Sequence, residues 1–428
     1  MKSIIIGLLV IFLIFIFSCQ NTYKTEEMTK NSFIYYTMKD LYLWYDKIPE
    51  VDYNKYDSPQ KVLDAAMYKK YDKWSFIITL KPSETNYNEN EFTGFGFLPF
   101  FYKESSGEYS LRIGYVYDYS PASSADLKRT YKITKINSLT IPPNPVETDL
   151  TNISAELSKN SIILEYIDSA NNTKTTSLTM GKITVKSVLY SNIYNRGIYK
   201  IGYIVFNEFI KLSKNELDSV FSNFSNNKVN ELIVDLRYNG GGLLDVANYF
   251  ANYIGGYNAD GKIFSTLYYN GRRINNKTTF YFKNSSFDFK RVVFITTGNS
   301  ASASESLING LKPHIDVKLV GSKTHGKPVG MLGLPFEDIV FFPIMFRGVN
   351  SNNEGDFYDG INVDAEVADD LTKAFGDENE ACLKEALYYI QNNNFTNPNQ
   401  SRINNGQNEE PKNLQIPLEG KRYVFNCF

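Results

Sequence analysis

Residues 292–328 decide the fold, and they read VVFITTGNSASASESLINGLKPHIDVKLVGSKTHGKP. The apolar run at its start is typical of a buried strand, and the small residues after it lead into a stretch whose Ala303, Leu307 and Leu311 recur at helical spacing. A second apolar run at 317–320 completes a strand–helix–strand unit. Such a unit predicts neighbouring parallel strands in an α/β sheet.

The same alternation of strands and helices continues on the N-terminal side of this unit. Apolar runs at 201–206 and 232–236 are each followed by a stretch with helical periodicity, at 217–224 and 243–253. The sequence therefore predicts a mixed α/β core, of strands alternating with helices, over residues 187–391.

The other parts of the chain differ from this core in composition. Aromatic and aliphatic residues at helical spacing, interrupted by prolines, predict a tether and a small N-terminal helical region over 20–90. Alternating apolar and polar residues predict a β-rich domain over 91–186. Residues 392–428 are typical of an Asn-rich linker and tail, whose apolar end is compatible with docking back onto the protein.

Composition excludes several classes of function. The chain has 43% hydrophobic and 21% charged residues, and its 45 basic and 47 acidic side chains give a net charge of -2, so no global field favours nucleic acid or anionic lipid. Two histidines are too few for a His-rich metal site, and Cys19, Cys382 and Cys427 lie too far apart for a CxxC motif. The composition therefore excludes a His-rich metal site and a CxxC zinc or redox motif.

The first nineteen residues are typical of a secretory leader. Lys2 precedes the apolar run 4–17, which is too short to span a bilayer because a spanning helix needs about 20 residues. The run ends in a segment, 16–19, that resembles a bacterial lipobox, in which Cys19 is lipidated. We expect an exported protein that is lipid-anchored in the bacterial cell envelope, on the periplasmic side or the outer surface. An ordinary signal peptide or an uncleaved anchor is the alternative.

Export also bears on the two remaining thiols. Cys382 and Cys427 would meet an oxidising compartment, where they could pair as a disulfide. Two unpaired, partly buried cysteines are an equally good interpretation of the sequence.

The serine-rich turn of the opening stretch has the composition of a reactive site. Small residues leave room for a substrate backbone, and a helix N-terminus directs N–H groups at developing negative charge. Several serines there resemble the arrangement of a nucleophile elbow, although a serine-rich helix cap is the simpler alternative. Lys327 lies between Gly326 and Pro328 after the second strand. If it turns inward, burial lowers a lysine pKa and allows the amine to act as a general base; otherwise it is a solvated loop residue.

Together these motifs resemble the C-terminal processing (tail-specific) protease family of serine peptidases. The run SASASE at 300–305 and the loop GK at 326–327 match its active-site motifs, and the resemblance implies that Ser302 is the nucleophile and Lys327 the base. The segment DLRYNGGG at 235–242 resembles the family's D-L-R-x-N-x-G-G turn. The resemblance implies an oxyanion hole formed by the backbone N–H groups of Gly241 and Ala303, with no metal or cofactor.

The β-rich region resembles the PDZ domain of the same family. Gly94, Phe95, Gly96 and Phe97 match its carboxylate-binding loop, and the resemblance implies that they bind a peptide C-terminus or an extended segment by strand addition. Motifs in the helical region, such as LYLWY at 41–45, resemble lipoprotein members of the family.

Two positions depart from the family pattern. Met331 and Pro313 stand where some members carry a Gln or an Asp that orients the lysine, so the third catalytic residue stays unassigned. A Ser–His site built on His325 or His314 is disfavoured, because both are typical loop histidines. The resulting hypothesis is a cell-envelope serine endopeptidase with polypeptide substrates and no nucleic-acid partner, its oligomeric state open. A non-catalytic peptide-binding lipoprotein and a structural envelope protein are the alternatives.

Overall fold

The computed structural model describes residues 28–80, 90–273, 275–283, 285–396 and 416. Eight α-helices occur in these ranges, and they are α1 (Lys30–Leu41), α2 (Pro59–Ala66), α3 (Pro121–Ser124), α4 (Glu147–Leu157), α5 (Ser213–Asn226), α6 (Leu244–Ala259), α7 (Ala303–Leu311) and α8 (Ala381–Asn392). The strands of the N-terminal half are β1 (Phe76–Thr79), β2 (Glu91–Gly94), β3 (Phe97–Lys103), β4 (Tyr109–Val116), β5 (Lys132–Ile136), β6 (Leu139–Thr140), β7 (Ser161–Ile167), β8 (Thr173–Thr179) and β9 (Gly181–Thr184). Those of the C-terminal half are β10 (Val188–Arg196), β11 (Tyr199–Phe206), β12 (Glu231–Asp235), β13 (Ile263–Tyr269), β14 (Lys277–Tyr281), β15 (Arg291–Thr296), β16 (Asp316–Gly321), β17 (Val329–Met331), β18 (Leu334–Phe336), β19 (Ile339–Phe342), β20 (Ile344–Val349) and β21 (Ala365–Glu366).

A six-stranded sheet forms the centre of the molecule, in the order β10-β11-β12-β15-β16-β21. Its strands from β11 to β21 are parallel, and β10 adds an antiparallel edge. All five residues of β12 are buried, and its three central residues, 232–234, are apolar, as in a strand that is covered on both faces. The predicted α/β core is therefore confirmed.

Helices cover both faces of the central sheet. On one face, Leu217 of α5, Phe250 of α6 and Leu307 of α7 belong to the same hydrophobic core as Val234 of β12. On the other face, Leu383 of α8 packs in a second core, which holds alternate residues of the same strands. This three-layer arrangement fixes the turns that follow β12, β15 and β16, where the candidate site lies.

A β-rich unit precedes the central sheet in the chain. Its strands run in the order β3-β4-β5-β7-β8, with β6 paired to β5 and β2 paired to β9. The strand β7 alternates exposed and buried side chains, as its sequence pattern predicts. Ile153 and Leu157 of α4 pack into the core of this unit. Within the described residues, β3 pairs only with β4 and so lies at the edge of the sheet.

Two further sheets were not predicted from the sequence. One has the order β14-β13-β20-β17, and the other the order β1-β19-β18. The small N-terminal helical region is present, and α1 and α2 share a hydrophobic core with β19. In the sequence, apolar residues of this region recur at helical spacing as far as residue 77. In the structure, however, α1 ends at Leu41 and the strand β1 begins at Phe76. Between these elements the chain forms α2 and two short 3-10 helices, Tyr45–Lys47 and Tyr53–Lys55, and aromatic residues of this stretch pack against the core.

No helix in the described ranges is both long and apolar enough to cross a bilayer. The leader run 4–17 and the lipidation candidate Cys19 lie outside the described residues. Cys427 lies outside them as well, whereas Cys382 is a completely buried free thiol. Its Sγ donates to the carbonyl oxygens of Val367 and Ala368 at 3.6 and 3.5 Å, and burial raises the pKa of the thiol.

Candidate active site

Ser302 lies in a strained turn between β15 and α7. It is the residue that precedes the first turn of α7, and its φ of 55° and ψ of -111° place it in a region that non-glycine residues disfavour. Ser302 is buried, with a residue exposure of 6%. A serine held in this way at a strand-to-helix turn is the hallmark of a nucleophile elbow, because strain of this kind persists only where the surrounding structure enforces it.

The glycine turn after β12 packs directly against Ser302. Gly241 has a φ of +114°, and a Cβ atom at this position would lie 2.8 Å from Ser302 Cβ and 3.1 Å from the backbone nitrogen of Ala303. Only glycine allows this approach. The structure thus brings together Gly241, Ser302 and Ala303, three of the residues that the sequence singled out. Ala303 is the first residue of α7, where a backbone N–H has no acceptor within the helix.

The Gly241 N–H is engaged by a side chain that the sequence analysis gave no role. It donates to Oδ1 of Asn239 at 2.8 Å. Asn239 is itself fully buried, and its Nδ2 donates to the Phe206 carbonyl oxygen at 3.0 Å. Its own carbonyl oxygen accepts from the Ser304 hydroxyl at 3.0 Å. A substrate oxygen must therefore displace the Asn239 amide oxygen before it can accept from Gly241.

The loop that carries Lys327 follows β16 and lies beside the serine turn. Lys327 is 3% exposed, so the inward orientation predicted for this lysine is observed. The His325 N–H donates to the Ser300 carbonyl oxygen at 3.0 Å, which ties the loop to the serine turn. Gly326 has a φ of +94°, and a Cβ atom there would lie 2.5 Å from the Tyr358 carbonyl oxygen. Close packing on both sides thus fixes the loop.

Glu305 joins the serine turn to the Lys327 loop, although the sequence analysis assigned it no function. Its Oε2 accepts from the backbone N–H groups of both Ser302, at 2.9 Å, and Lys327, at 2.8 Å. Its Oε1 accepts from the Gly326 N–H at 2.7 Å and from the Thr324 hydroxyl at 2.6 Å. Burial raises the pKa of this carboxyl group, and the four donors oppose the rise. The spacing Ser302-x-x-Glu305 is that of a capping box and could have identified the residue.

The side chains of the two histidines and of Met331 contact groups other than Ser302 and Lys327. The Trp74 Nε1–H donates to His325 Nε2 at 3.4 Å, and His325 Nδ1 lies 3.3 Å from the Gly298 carbonyl oxygen. His314 contacts the Ile263 carbonyl oxygen instead. Met331 is buried in a hydrophobic core. Within the described parts of the chain, no group of three His, Cys, Asp or Glu side chains is placed to hold a metal ion.

A buried charge network anchors the glycine turn. Arg237, two residues before Asn239, is fully buried and bonds to Asp235, Asp369 and Glu380. In the β-rich unit, Arg129 donates to the Tyr238 hydroxyl at 2.6 Å and to Asp369 at 3.0 Å. The network therefore connects the β-rich unit to the same turn that carries Gly241.

The predicted peptide-binding residues form the turn between β2 and β3. Phe95 is buried, and its carbonyl oxygen accepts from the Ala122 N–H at 2.9 Å. Gly96 has a φ of +86°, and a Cβ atom there would lie 2.1 Å from Ser120 Cβ. Gly94 ends β2 and Phe97 begins β3, so this turn leads directly into the edge strand.

A strained serine at a helix N-terminus, a buried lysine and a glycine turn against the serine together define a site of the serine-hydrolase type. Residues 200–367 match the Peptidase family S41 domain, and residues 30–76 match the Peptidase S41 N-terminal domain. The chain belongs to peptidase family S41, and the predicted relationship to the C-terminal processing proteases is confirmed.

Curated relatives carry the description of probable CtpA-like serine proteases. The protein from Staphylococcus saprophyticus is 26% identical over 322 residues, which are 74% of this chain and 60% of the relative. The protein from Staphylococcus haemolyticus is 28% identical over 219 residues, which are 51% of this chain and 42% of the relative. The chain thus spans about half the length of the relatives that it matches.

Solved structures share the fold. A crystal structure from Bacteroides fragilis NCTC 9343, described as that of an S41 protease, superposes with a TM-score of 0.70 at 23% identity and covers 88% of this chain and all of the other. The photosystem II D1 C-terminal processing protease superposes with a TM-score of 0.51 at 18% identity and covers 81% of this chain and 94% of the other. At these identities the likeness concerns the fold alone.

Proposed function

We propose that this protein is a serine endopeptidase that uses Ser302 as nucleophile and Lys327 as general base. The observation that carries the proposal is the Glu305 carboxylate, because a single oxygen accepts from the backbone N–H groups of both residues. Their backbones are thereby held at a fixed spacing, as a nucleophile and its base require. Family membership and the approach of Gly241 to Ser302 support the same assignment.

The chemistry follows from this geometry. The neutral Lys327 amine accepts the proton of the Ser302 hydroxyl as the oxygen attacks the scissile carbonyl. The resulting oxyanion accepts from the N–H groups of Ala303 and Gly241, once Asn239 Oδ1 has been displaced from the latter. Lys327 then returns the proton to the leaving amine. Water, deprotonated by the same base, hydrolyses the acyl-enzyme and releases Ser302.

The β-rich unit serves as a PDZ-like peptide-binding module in this proposal. Among the described residues, its edge strand β3 pairs with another strand on one side alone, so an extended polypeptide can pair with the other side. The turn of Gly94, Phe95, Gly96 and Phe97 lies at the start of that strand, where such a module binds the end of its ligand. Polypeptide C-termini or extended segments are therefore the proposed ligands.

The leader suggests where the protein acts. We propose export, lipidation of Cys19 and attachment to the cell envelope through this lipid, since the run 4–17 is followed by a segment resembling a lipobox. A second candidate function, a peptide-binding lipoprotein without catalysis, is favoured by one observation. The Gly241 N–H already donates to Asn239 Oδ1. A protein that only binds peptides does not need this N–H for an oxyanion, so the bond is compatible with a role without catalysis.

Cleavage of an unfolded protein tests the peptidase proposal. We expect the full chain to convert reduced, carboxymethylated casein into fragments, and the Ser302→Ala variant to produce none above background, because the nucleophile is missing. Ser306→Ala is the matched control, since Ser306 lies on the same helix and is partly exposed. Mass spectrometry of the fragments is the measurement. Equal cleavage by the parent and Ser302→Ala would refute the assignment, and peptide binding without cleavage would favour the non-catalytic alternative.

A further inference from the structure

The C-terminal tail contributes one described residue, Ile416, to the β-rich unit. Ile416 is partly buried and packs against the hydrophobic core of that unit. Phe97 and Phe101 of β3 pack against this same core, which contains Ile153 and Leu157 of α4. The tail residue thus joins a core to which both the edge strand β3 and the helix α4 contribute. A polypeptide added to the free edge of β3 would lie in the groove beside that strand.

The edge of β3 is suited to receive this segment. Among the described residues, β3 pairs with β4 on one side alone, so its other side presents N–H and C=O groups that can bind another strand. A strand laid along this edge directs alternate side chains toward the core of the unit. A strand at this edge would place an apolar side chain in the core, and Ile416 is partly buried there.

The sequence around Ile416 has the pattern of an edge strand. Leu414, Ile416 and Leu418 recur with a period of two, which places all three on one face of an extended segment. Pro417 lacks an N–H donor, and proline is tolerated on the outermost strand of a sheet. Nineteen residues separate Thr396 from Ile416, and these 20 steps can span about 66 Å when extended.

We infer that the segment 413–418 is an internal ligand of the β-rich unit, which pairs with β3 and competes with polypeptides for the groove. The inference rests on the peptide-binding role proposed above. A tethered segment acts at an effective concentration of about 1 mM, so a segment that binds with a dissociation constant of about 0.1 mM weakens the apparent affinity for other peptides by about tenfold. Only ligands that displace the tail then gain access to the groove.

Peptide binding by full-length chains tests this inference without relying on catalysis. All chains carry Ser302→Ala, and the probe is a fluorescein-labelled peptide of residues 411–420, PKNLQIPLEG. We expect Ile416→Asp to bind the probe about tenfold more tightly than the otherwise unchanged chain, because a charged side chain cannot enter the apolar core and the tail releases the groove. Ile416→Ala should shift the affinity in the same direction by a smaller factor. Ile403→Asp, in the same tail, is the matched control and should leave the affinity unchanged.

Amide hydrogen exchange provides a second readout. Exchange in Phe97–Lys103 should be faster in Ile416→Asp than in Ile403→Asp, because the edge of β3 loses its partner. Equal probe affinity in these two variants, or equal exchange in β3, would overturn the inference and leave the proposed peptidase untouched. The opposite outcome is also distinguishable. If the variants show the expected binding pattern but the parent chain cleaves no substrate, the peptidase proposal is wrong and the internal-ligand inference is retained.

Discussion

Replacing Lys327 by alanine is expected to lower kcat for peptide cleavage by about 10²–10⁴-fold, the range that general-base catalysis contributes. Lys327 is buried, and its backbone N–H bonds to the same Glu305 oxygen as that of Ser302, so its loss removes the base and leaves the nucleophile in place. A base must be neutral to accept a proton, so the activity of the parent protein should fall as the pH is lowered. Steady-state kinetics on a fluorogenic peptide across pH measure both effects.

Lys323 provides the matched control for this experiment. It lies in the same loop, but its side chain is exposed. Lys323→Ala should therefore retain the kcat and the pH profile of the parent protein. A Lys327→Ala variant with unchanged kcat, or a parent whose activity rises as the pH is lowered, would contradict the role of Lys327 as the base.

Replacing Arg237 by methionine is expected to lower the free energy of unfolding by about 3–5 kcal/mol, the cost of removing one partner from a buried ion network. Arg237 is fully buried and forms ion pairs with the buried carboxylates of Asp235 and Glu380 and with the mostly buried carboxylate of Asp369. The substitution leaves these carboxylates without their shared cation. Urea unfolding followed by circular dichroism measures the loss. Arg347→Met is the control, because the exposed pair of Arg347 with Asp356 should contribute less than about 1 kcal/mol.

The same network gives the stability a defined pH dependence. Burial alone would raise the pKa values of Asp369 and Glu380, but attraction by Arg237 outweighs it and holds both below their usual values. The stability that these two groups contribute is therefore present above their unfolded pKa values of about 4 and is lost as the pH falls through the lower folded values. Arg237→Met should lose the contribution of Glu380 and part of that of Asp369, which keeps its bond to Arg129, so its unfolding free energy should fall less steeply in acid. An unchanged unfolding free energy at neutral pH would contradict the account of the network.

Local patterns in the sequence predicted individual helices and strands of the core. Ala303, Leu307 and Leu311 recur at helical spacing and are all buried in α7, and the apolar run at 232–236 is the buried strand β12. The serine turn and the Lys327 loop could be located because each follows a strand of the parallel sheet. Short parallel strands read as continuous apolar runs, which makes them visible in a single sequence.

Contacts between distant segments could not be predicted in this way. The strands β13 and β20 pair although their residues are about 80 positions apart, and nothing local marks either strand as half of a sheet. The bond from the Gly241 N–H to Asn239 depends on the exact shape of the turn. The contact of Arg129 with Tyr238 joins two units, and a single sequence gives no signal for such a pair. Glu305 is the exception, because the spacing Ser302-x-x-Glu305 can be recognised in the sequence as that of a capping box.

Covalent labelling of Ser302 tests the central assignment most directly. A fluorophosphonate reacts with a serine only when a base activates the hydroxyl and an oxyanion hole receives the phosphoryl oxygen. The full chain should gain one adduct, mapped by peptide mass spectrometry to Ser302, and labelling should disappear in Lys327→Ala and persist in Lys323→Ala. An adduct on another serine, no adduct at all, or equal labelling in Lys327→Ala would contradict the assignment of Ser302 and Lys327 as nucleophile and base.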